Sequence, residues 1–247
     1  LFLYSFDLND YRSQLQAILQ AALQRPVKIG AIHFALRPGL SLDLSATAIG
    51  APEDATSLVV DHLLLRLRLA PLLQRKLDFS SVLLEGAQFR IVMPAGGDDA
   101  VPPERAPERM NTLIDLLRRT NISTLILRNG SATIVAGEQR YDLDQIDLQL
   151  HNIAFLAPIK VAAAGELRVG DVRAPWQLAG NIEAASADAP WQATRINLTL
   201  GVQGLDLAQL PQTLGQEAKK YRLHGAVNLN LRTQGAPASG LTFTVHA

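Results

Sequence analysis

In one segment after another between residues 32 and 92 apolar side chains recur at every second position, and that alternation limits what the chain can build. Successive side chains of a strand point to opposite sides, so an alternating segment has one apolar and one wet face. Ile32, Phe34 and Leu36 alternate, Arg37-Pro38-Gly39 turns the chain, and Leu40, Leu42 and Leu44 alternate opposite Ser41, Asp43 and Ser45. Leu63, Leu65, Leu67 and Leu69 follow against His62, Arg66 and Arg68. A short helical turn is expected around Pro71-Leu72-Leu73, after which Val82 and Leu84 lead through Gly86 to Phe89 and Ile91. Each apolar face needs cover, from protein or from a bound apolar ligand.

A helix precedes these strands. Asp7 reads as its N-cap with Asp10 three residues on, and Leu8, Tyr11, Leu15, Ile18, Leu19, Ala22 and Leu23 fall at helical spacing. Arg25 suits the negative end of the dipole and Pro26 stops the helix. The spacing predicts a helix over 8–24 with its apolar face on the sheet. Its polar face is mostly Gln and Asn, which argues against a helix lying on a membrane surface. Residues 1–6, LFLYSF, read either as a first strand or as the end of a membrane helix.

Beyond residue 94 the pattern breaks. Gly, Pro and charge dominate 95–109, which predicts a flexible insert. A helix with Leu113, Ile114, Leu116 and Leu117 on its apolar side follows, and strands resume from 122. Asn129-Gly130 signals a hairpin turn. Further strands are expected near 140–152, 159–169, 174–184, 192–203, 222–233 and 240–246, with a helix over 207–219. Residues 72–92 echo residues 116–136, with Gly86 and Gly130 in matching places, and repeated units of this kind build sheets by stacking. The last strand pattern, LTFTVHA, would leave a raw sheet edge, which predicts a sheet continuing past residue 247.

The side chains that usually carry chemistry are scattered. The chain has no cysteine, which removes disulfides, thiolate metal sites and cysteine nucleophiles. His33, His62, His151, His224 and His246 stand singly, without metal-ligand spacing. Asp142, Asp144 and Asp147 form the densest acidic cluster, but no glycine-bearing loop brings the further oxygens that calcium needs. Glu85 takes the place in its unit that Asn129 takes in the next, so it reads as a turn residue rather than a catalytic acid. No nucleophile elbow, phosphate-binding glycine loop or dinucleotide fingerprint occurs. Lys plus Arg equals Asp plus Glu at 23 each, without the basic excess of a nucleic-acid binder. Trp176 and Trp191 are too sparse for a base-stacking platform and should pack on the sheet. Aromatics are only 5%, so the apolar surface is aliphatic and suits acyl chains.

Several motifs in order carry a resemblance: Asp7, Asn9 and Tyr11; Arg25-Pro26-Val27; Pro38-Gly39-Leu40; Ala70-Pro71-Leu72-Leu73; and Leu84-Glu85-Gly86. Over about residues 6–92 the chain resembles the AsmA-like proteins of the Gram-negative envelope, and more loosely beyond. The resemblance implies an inner-membrane helix upstream of residue 1, a periplasmic body, and a long β-groove akin to that of bridge-like lipid-transfer proteins. It implies phospholipid as cargo, carried between inner and outer membranes, and envelope or outer-membrane proteins as partners.

The combined expectation is a mainly β protein with a few helices. A curled antiparallel sheet forms an apolar groove, and the N-terminal amphipathic helix caps one end. Residues 1–94 hold the helix and first strands, 95–109 the insert, and 110–247 the continuing β-repeat region. Ile32, Phe34, Leu36, Leu42, Leu44, Leu63, Leu65, Leu67, Val82 and Leu84 should line the groove, or Leu64 and Leu83 if the other face points inward. Leu15, Ile18, Leu19 and Leu23 should form the capping face. The expected function is non-enzymatic lipid transfer, with no cofactor, metal or nucleic acid. The alternative is a β-rich periplasmic scaffold for outer-membrane assembly, with a closed core and no lipid. A hydrolase ranks third, because no acid–base pair at working spacing is present.

Limited proteolysis tests the organisation. The first cut should fall within 95–109 and leave two fragments associated through strand pairing. First cleavage in 120–136 instead would contradict it.

Overall fold

A computed structural model describes residues 12–13, 16–17, 20, 25–35, 40–50, 54, 56–68, 79–93, 122–137, 139–153, 157–170, 172–183, 191–206 and 225–246. Among the described residues thirteen strands lie in one sheet: β1 (Val27–Lys28), β2 (Ile32–Ala35), β3 (Ser41–Ile49), β4 (Thr56–Leu67), β5 (Phe79–Glu85), β6 (Gln88–Met93), β7 (Thr124–Ala136), β8 (Gln139–His151), β9 (Ile159–Val169), β10 (Val172–Glu183), β11 (Arg195–Asp206), β12 (Ala226–Ala236) and β13 (Gly240–His246). The sheet runs in the order β1-β3-β4-β5-β7 and then β8 to β13 in sequence. β2 pairs with β3, and β6 with β4 and β7. A 3-10 turn occupies Trp191–Ala193.

The sheet is mixed, not purely antiparallel. β5 and β6 both pair with β7 in parallel, and every other described pairing is antiparallel. A parallel pairing needs a crossover rather than a hairpin, and residues 94–123 supply that connection. The sequence echo between 72–92 and 116–136 thus marks two adjacent parallel strands. The sheet is continuous across the connection.

Asn129-Gly130 is not a hairpin. It lies inside β7, whose chain continues straight to Ala136. A type I′ turn needs positive φ at both central residues. Here Asn129 alone turns left-handed, at φ 49°. Asn tolerates that conformation better than most residues. The result is a bulge, with the register of β7 on β8 shifting on both sides of Gly130.

The bulge belongs to a crease that crosses five strand positions. Ala46 in β3, Gly86 between β5 and β6, Asn129 in β7 and Gln145 in β8 all have positive φ, at 45°, 64°, 49° and 52°. In β4 the corresponding residues are Asp61 and His62, both exposed. At each place two successive residues face outward and the alternation changes phase. Leu44 and Ile49, Leu63 and Val60, Leu84 and Ala87, Leu127 and Ala132 therefore all pack on the same side of the sheet. Strict period-2 alternation would have placed the second of each pair on the opposite face.

Side chains and backbone amides reconnect across the crease. Gly86 N–H donates to Arg128 O at 3.1 Å, Ser131 N–H to Ala87 O at 2.8 Å, and Asn129 N–H to the Asp147 carboxylate at 3.1 Å. The Asp61 carboxylate occupies the place where a Cβ on Gly86 would go. Leu127 folds its methyl groups over Gly130, leaving room there for hydrogen alone.

Helical conformation is described at Arg12, Ser13, Gln16, Ala17 and Gln20. Arg12 Nη1 donates to Gly30 O and Gln20 Nε2 to Val27 O, each at 3.3 Å, so this segment is tied to the backbone of 27–30. The helices expected around 71–73, 113–117 and 207–219 lie outside the described residues, as does the insert at 95–109.

Gly86→Ala adds a left-handed alanine and crowds Asp61, for a loss of about 2 kcal/mol or more. Gly170 has φ 62° and nothing near its would-be Cβ, so Gly170→Ala is a matched control. That control costs about 1 kcal/mol, for the backbone conformation alone. Urea unfolding of both variants checks the crease, and equal losses would show that crowding at Asp61 is unimportant.

Candidate functional site

The register brings the aliphatic positions of successive strands into line on one face. Ile32 lies opposite Leu44, Leu44 opposite Leu63, and Leu63 opposite Leu84. The row continues through Leu127, Leu148, Ala163 and Leu178. It ends through Leu200 and Leu231 at Val245. At a strand spacing of about 4.8 Å, its ten steps span roughly 48 Å. A second row, Phe34, Leu42, Leu65, Val82, Leu125, Leu150 and Val161, runs beside it.

Of the expected lining residues, Ile32, Phe34, Leu42, Leu44, Leu63, Leu65, Val82 and Leu84 thus occupy two neighbouring rows. Leu67 joins them through the buried cluster it forms with Leu42 and Leu44. Leu36 lies outside the described residues, as do the expected capping residues Leu15, Ile18, Leu19 and Leu23. Leu64 and Leu83 pair with each other, and Leu83 with Ile126, on the opposite face. Nothing in the first half of the sequence pointed to the extension of the row through Leu178, Leu200 and Leu231. The alternation of β10 to β12 carries the signal, which register alone converts into a row.

Cover of this face is graded. At the β1–β3 end Ile32, Leu42 and Leu44 are at most 2% exposed, packed with Val27 and Ile29. In the middle Val60, Ala87, Leu127, Ala132 and Ile146 form a second cluster, flanked by Leu84, Leu148 and Trp176. The Trp176 ring lies over Gly165, whose would-be Cβ would come within 3.1 Å of it, so glycine is required under the indole. Trp176 packs on the sheet as expected, and the side chain of Trp191 is not described. Toward the far edge Leu178, Leu200 and Leu231 are half-buried, and Phe243 and Val245 on β13 are 60% and 64% exposed.

The opposite face is a polar ladder. Thr133 Oγ1 donates to Asp142 at 2.7 Å, and Arg140 Nε contacts both oxygens of the same carboxylate at 3.0 Å. Arg168 bridges Asp142 and Asp144 at 3.7 and 3.1 Å, and Arg173 reaches Glu166 at 3.7 Å. The acidic cluster is therefore consumed internally, with Asp147 holding Asn129 N–H. Glu85 pairs with Arg128 at 3.8 Å at the end of β5, where the chain bends without reversing. Among the described residues no group of three acidic or histidine side chains could hold a metal ion. Likewise, no described helix is long and apolar enough to cross a membrane.

The comparison with protein families adds one decisive fact. Residues 1–102 match the model of the AsmA family. Over that stretch the chain is AsmA-like. The matched segment contains β1 to β6 and with them the fully covered end of the apolar rows. No curated protein and no solved structure matches the chain. The AsmA-like segment and the strands after residue 122 share one sheet, so the apolar rows that begin in the matched part run on into the rest.

Burial raises the Asp142 pKa, but the Thr133 hydroxyl, the Arg140 hydrogen bond and the charges of Arg140 and Arg168 outweigh it. The net effect holds the carboxyl below its ordinary 3.8. A depressed carboxylate pKa stabilises the fold fully above the unfolded value and loses that contribution as pH falls through the folded one. The chain should therefore lose stability below about pH 4 more steeply than Asp142→Asn. Parallel acid limbs in pH-dependent melting would contradict this.

Proposed function

We propose that this protein is a non-enzymatic lipid carrier of the bacterial envelope, with phospholipid acyl chains lying along the apolar face of the sheet. The observation that carries this reading is the row from Ile32 to Val245, aliphatic at every described strand it crosses. An acyl chain is about 15 Å long in a bilayer, half of a core about 30 Å thick, so the row has the length of several chains. Each buried methylene contributes about 0.8 kcal/mol, which holds the chains without any polar contact. A row of like residues has no deep trap, so a chain can shift along it without chemistry. The AsmA-like N-terminal region is in keeping with this role, because that family is associated with the envelope and lipid transport. On this reading the body is periplasmic and the inner membrane holds it through a helix preceding residue 1.

One observation favours a narrower use of the sheet. Ile32, Leu42 and Leu44 are already buried, in one cluster with Val27 and Ile29. That end behaves as a closed core, as a scaffold would, the second buried cluster closes the middle, and the lipid-accessible stretch lies toward β10 to β12.

The test places a charge on the half-buried part of the row. Leu200 lies between Leu178 and Leu231. Leu200→Glu should keep the circular dichroism of the native chain and lose photo-crosslinking to a labelled phospholipid. Thr199→Glu, on the opposite face, should keep both. Undiminished crosslinking in folded Leu200→Glu would rule out this stretch as the lipid path. Absence of crosslinking in the native chain would favour the scaffold.

A further inference from the structure

We propose that the polar face carries a separate anion site, a concavity beyond the crease that takes a phosphate-ester headgroup. A hollow of about 760 Å³ lies there, lined among others by Lys28, Ser57, Gln88, Arg90, Ser131 and Arg140. It is on the side of the sheet away from the aliphatic rows. Lys28 lies opposite Ala48, Ala48 opposite Val59, Val59 opposite Gln88, and Gln88 opposite Ser131. Arg90 lies in the next row, between Ser57 and Thr133. The floor is thus made of short side chains, and three long cationic ones stand around it.

The charge of this hollow is one-sided. Among the described residues no Asp or Glu lines it, the nearest carboxylate besides Asp142 being Asp54 beside Gly50 at its rim, while the whole chain balances 23 basic against 23 acidic residues. Asp142, beside Arg140, is already held by Thr133, Arg140 and Arg168. Arg140 spends its Nε on that carboxylate and keeps its terminal nitrogens. Lys28 and Arg90 are exposed and have no ion-pair partner among the described residues. Elsewhere on this face Arg128, Arg168 and Arg173 each meet a carboxylate. Arg66, Lys160, Arg195 and Arg232 on this face also meet no carboxylate among the described residues, but of the unpaired cations only Lys28 and Arg90 line the hollow. Thr133 donates its proton to Asp142 and so is not a free donor. The hydroxyls of Ser57 and Ser131 and the Gln88 amide supply neutral donors.

Two cations, a third guanidinium edge and several neutral donors match the oxygens of a phosphate ester. Guanidinium groups bind such oxygens by paired, charge-assisted hydrogen bonds. The hollow is larger than a bare phosphate needs, which leaves space for a glycerol or sugar substituent. The chemistry is the same for the headgroup of an anionic phospholipid and for a free phosphate ester. The site stands apart from the lipid path proposed above, and neither depends on the other.

The test uses the full 247-residue chain. Glycerol 3-phosphate is titrated calorimetrically, and flotation is measured with vesicles of phosphatidylcholine alone and with added phosphatidylglycerol. Lys28→Gln, Arg90→Gln and, as a control outside the hollow, Arg173→Gln are compared, each checked for folding by circular dichroism. Binding of glycerol 3-phosphate supports a free ester as ligand. Flotation only with phosphatidylglycerol supports a membrane headgroup. In either case Lys28→Gln and Arg90→Gln should each weaken binding about tenfold and Arg173→Gln should leave it unchanged. The proposal is overturned if neither probe binds, if the two hollow variants bind as the native chain does, or if Arg173→Gln loses as much.

Discussion

Strand register is the constraint on which everything else in this protein depends. A side chain's face is set by parity, so one slipped residue between any two strands would turn half the sheet over. The pairings from β2 to β13 instead deliver an aliphatic residue to the same row at every step. The sheet can be long because each strand needs only its neighbours for backbone hydrogen bonds. The apolar face can be continuous because each pairing preserves the phase of the last. Where the phase does change, at the crease, neighbouring strands change together. Ala46, Gly86, Asn129 and Gln145 absorb the turn, and β4 follows at Asp61 and His62. The discontinuity is then taken up between β8 and β9, where the register shifts around Gln145.

The two faces divide the work. The aliphatic side is buried at the β1–β3 end, where Val27 and Ile29 join Ile32, Leu42 and Leu44 in one cluster, and opens toward β12 and β13. The polar side is held wet by paired charges that individually add little stability, since exposed ion pairs are screened and cost side-chain entropy. Their value lies in marking which face meets water. Asp147 goes further, because it satisfies an amide that the bulge at Asn129 would otherwise leave unpaired. The hollow around Lys28 and Arg90 gathers cations that no described carboxylate pairs. The AsmA-like match covers the closed end, and the more open rows lie in the strands after it.

Much of this was legible in the sequence. Leu42, Leu44, Leu63, Leu65, Val82 and Leu84 were assigned to one face from alternation alone, and the pairings put them there. Strand positions from 139 to 246 agree with the sequence reading to within a few residues, because alternation holds through most of each strand and the bulges in β8 and β11 interrupt it only locally. What escaped was long-range or exceptional. Parallel pairing of β5 and β6 with β7 leaves no local mark, although the echo between their sequences was its trace. Asn129-Gly130 carries a hairpin's chemistry, yet the same tolerance for positive φ serves a bulge, and tertiary pairing decides which. The phase change at Leu63 and Val60 was invisible because β4 makes it without glycine.

The central claim is that the aliphatic face holds acyl chains rather than serving only as a protein core. Native mass spectrometry of the chain purified without detergent tests it most directly. The account predicts adducts at phospholipid masses, released by organic extraction and identifiable as intact lipids. A single unliganded mass, unchanged after incubation with phospholipid vesicles, would contradict it.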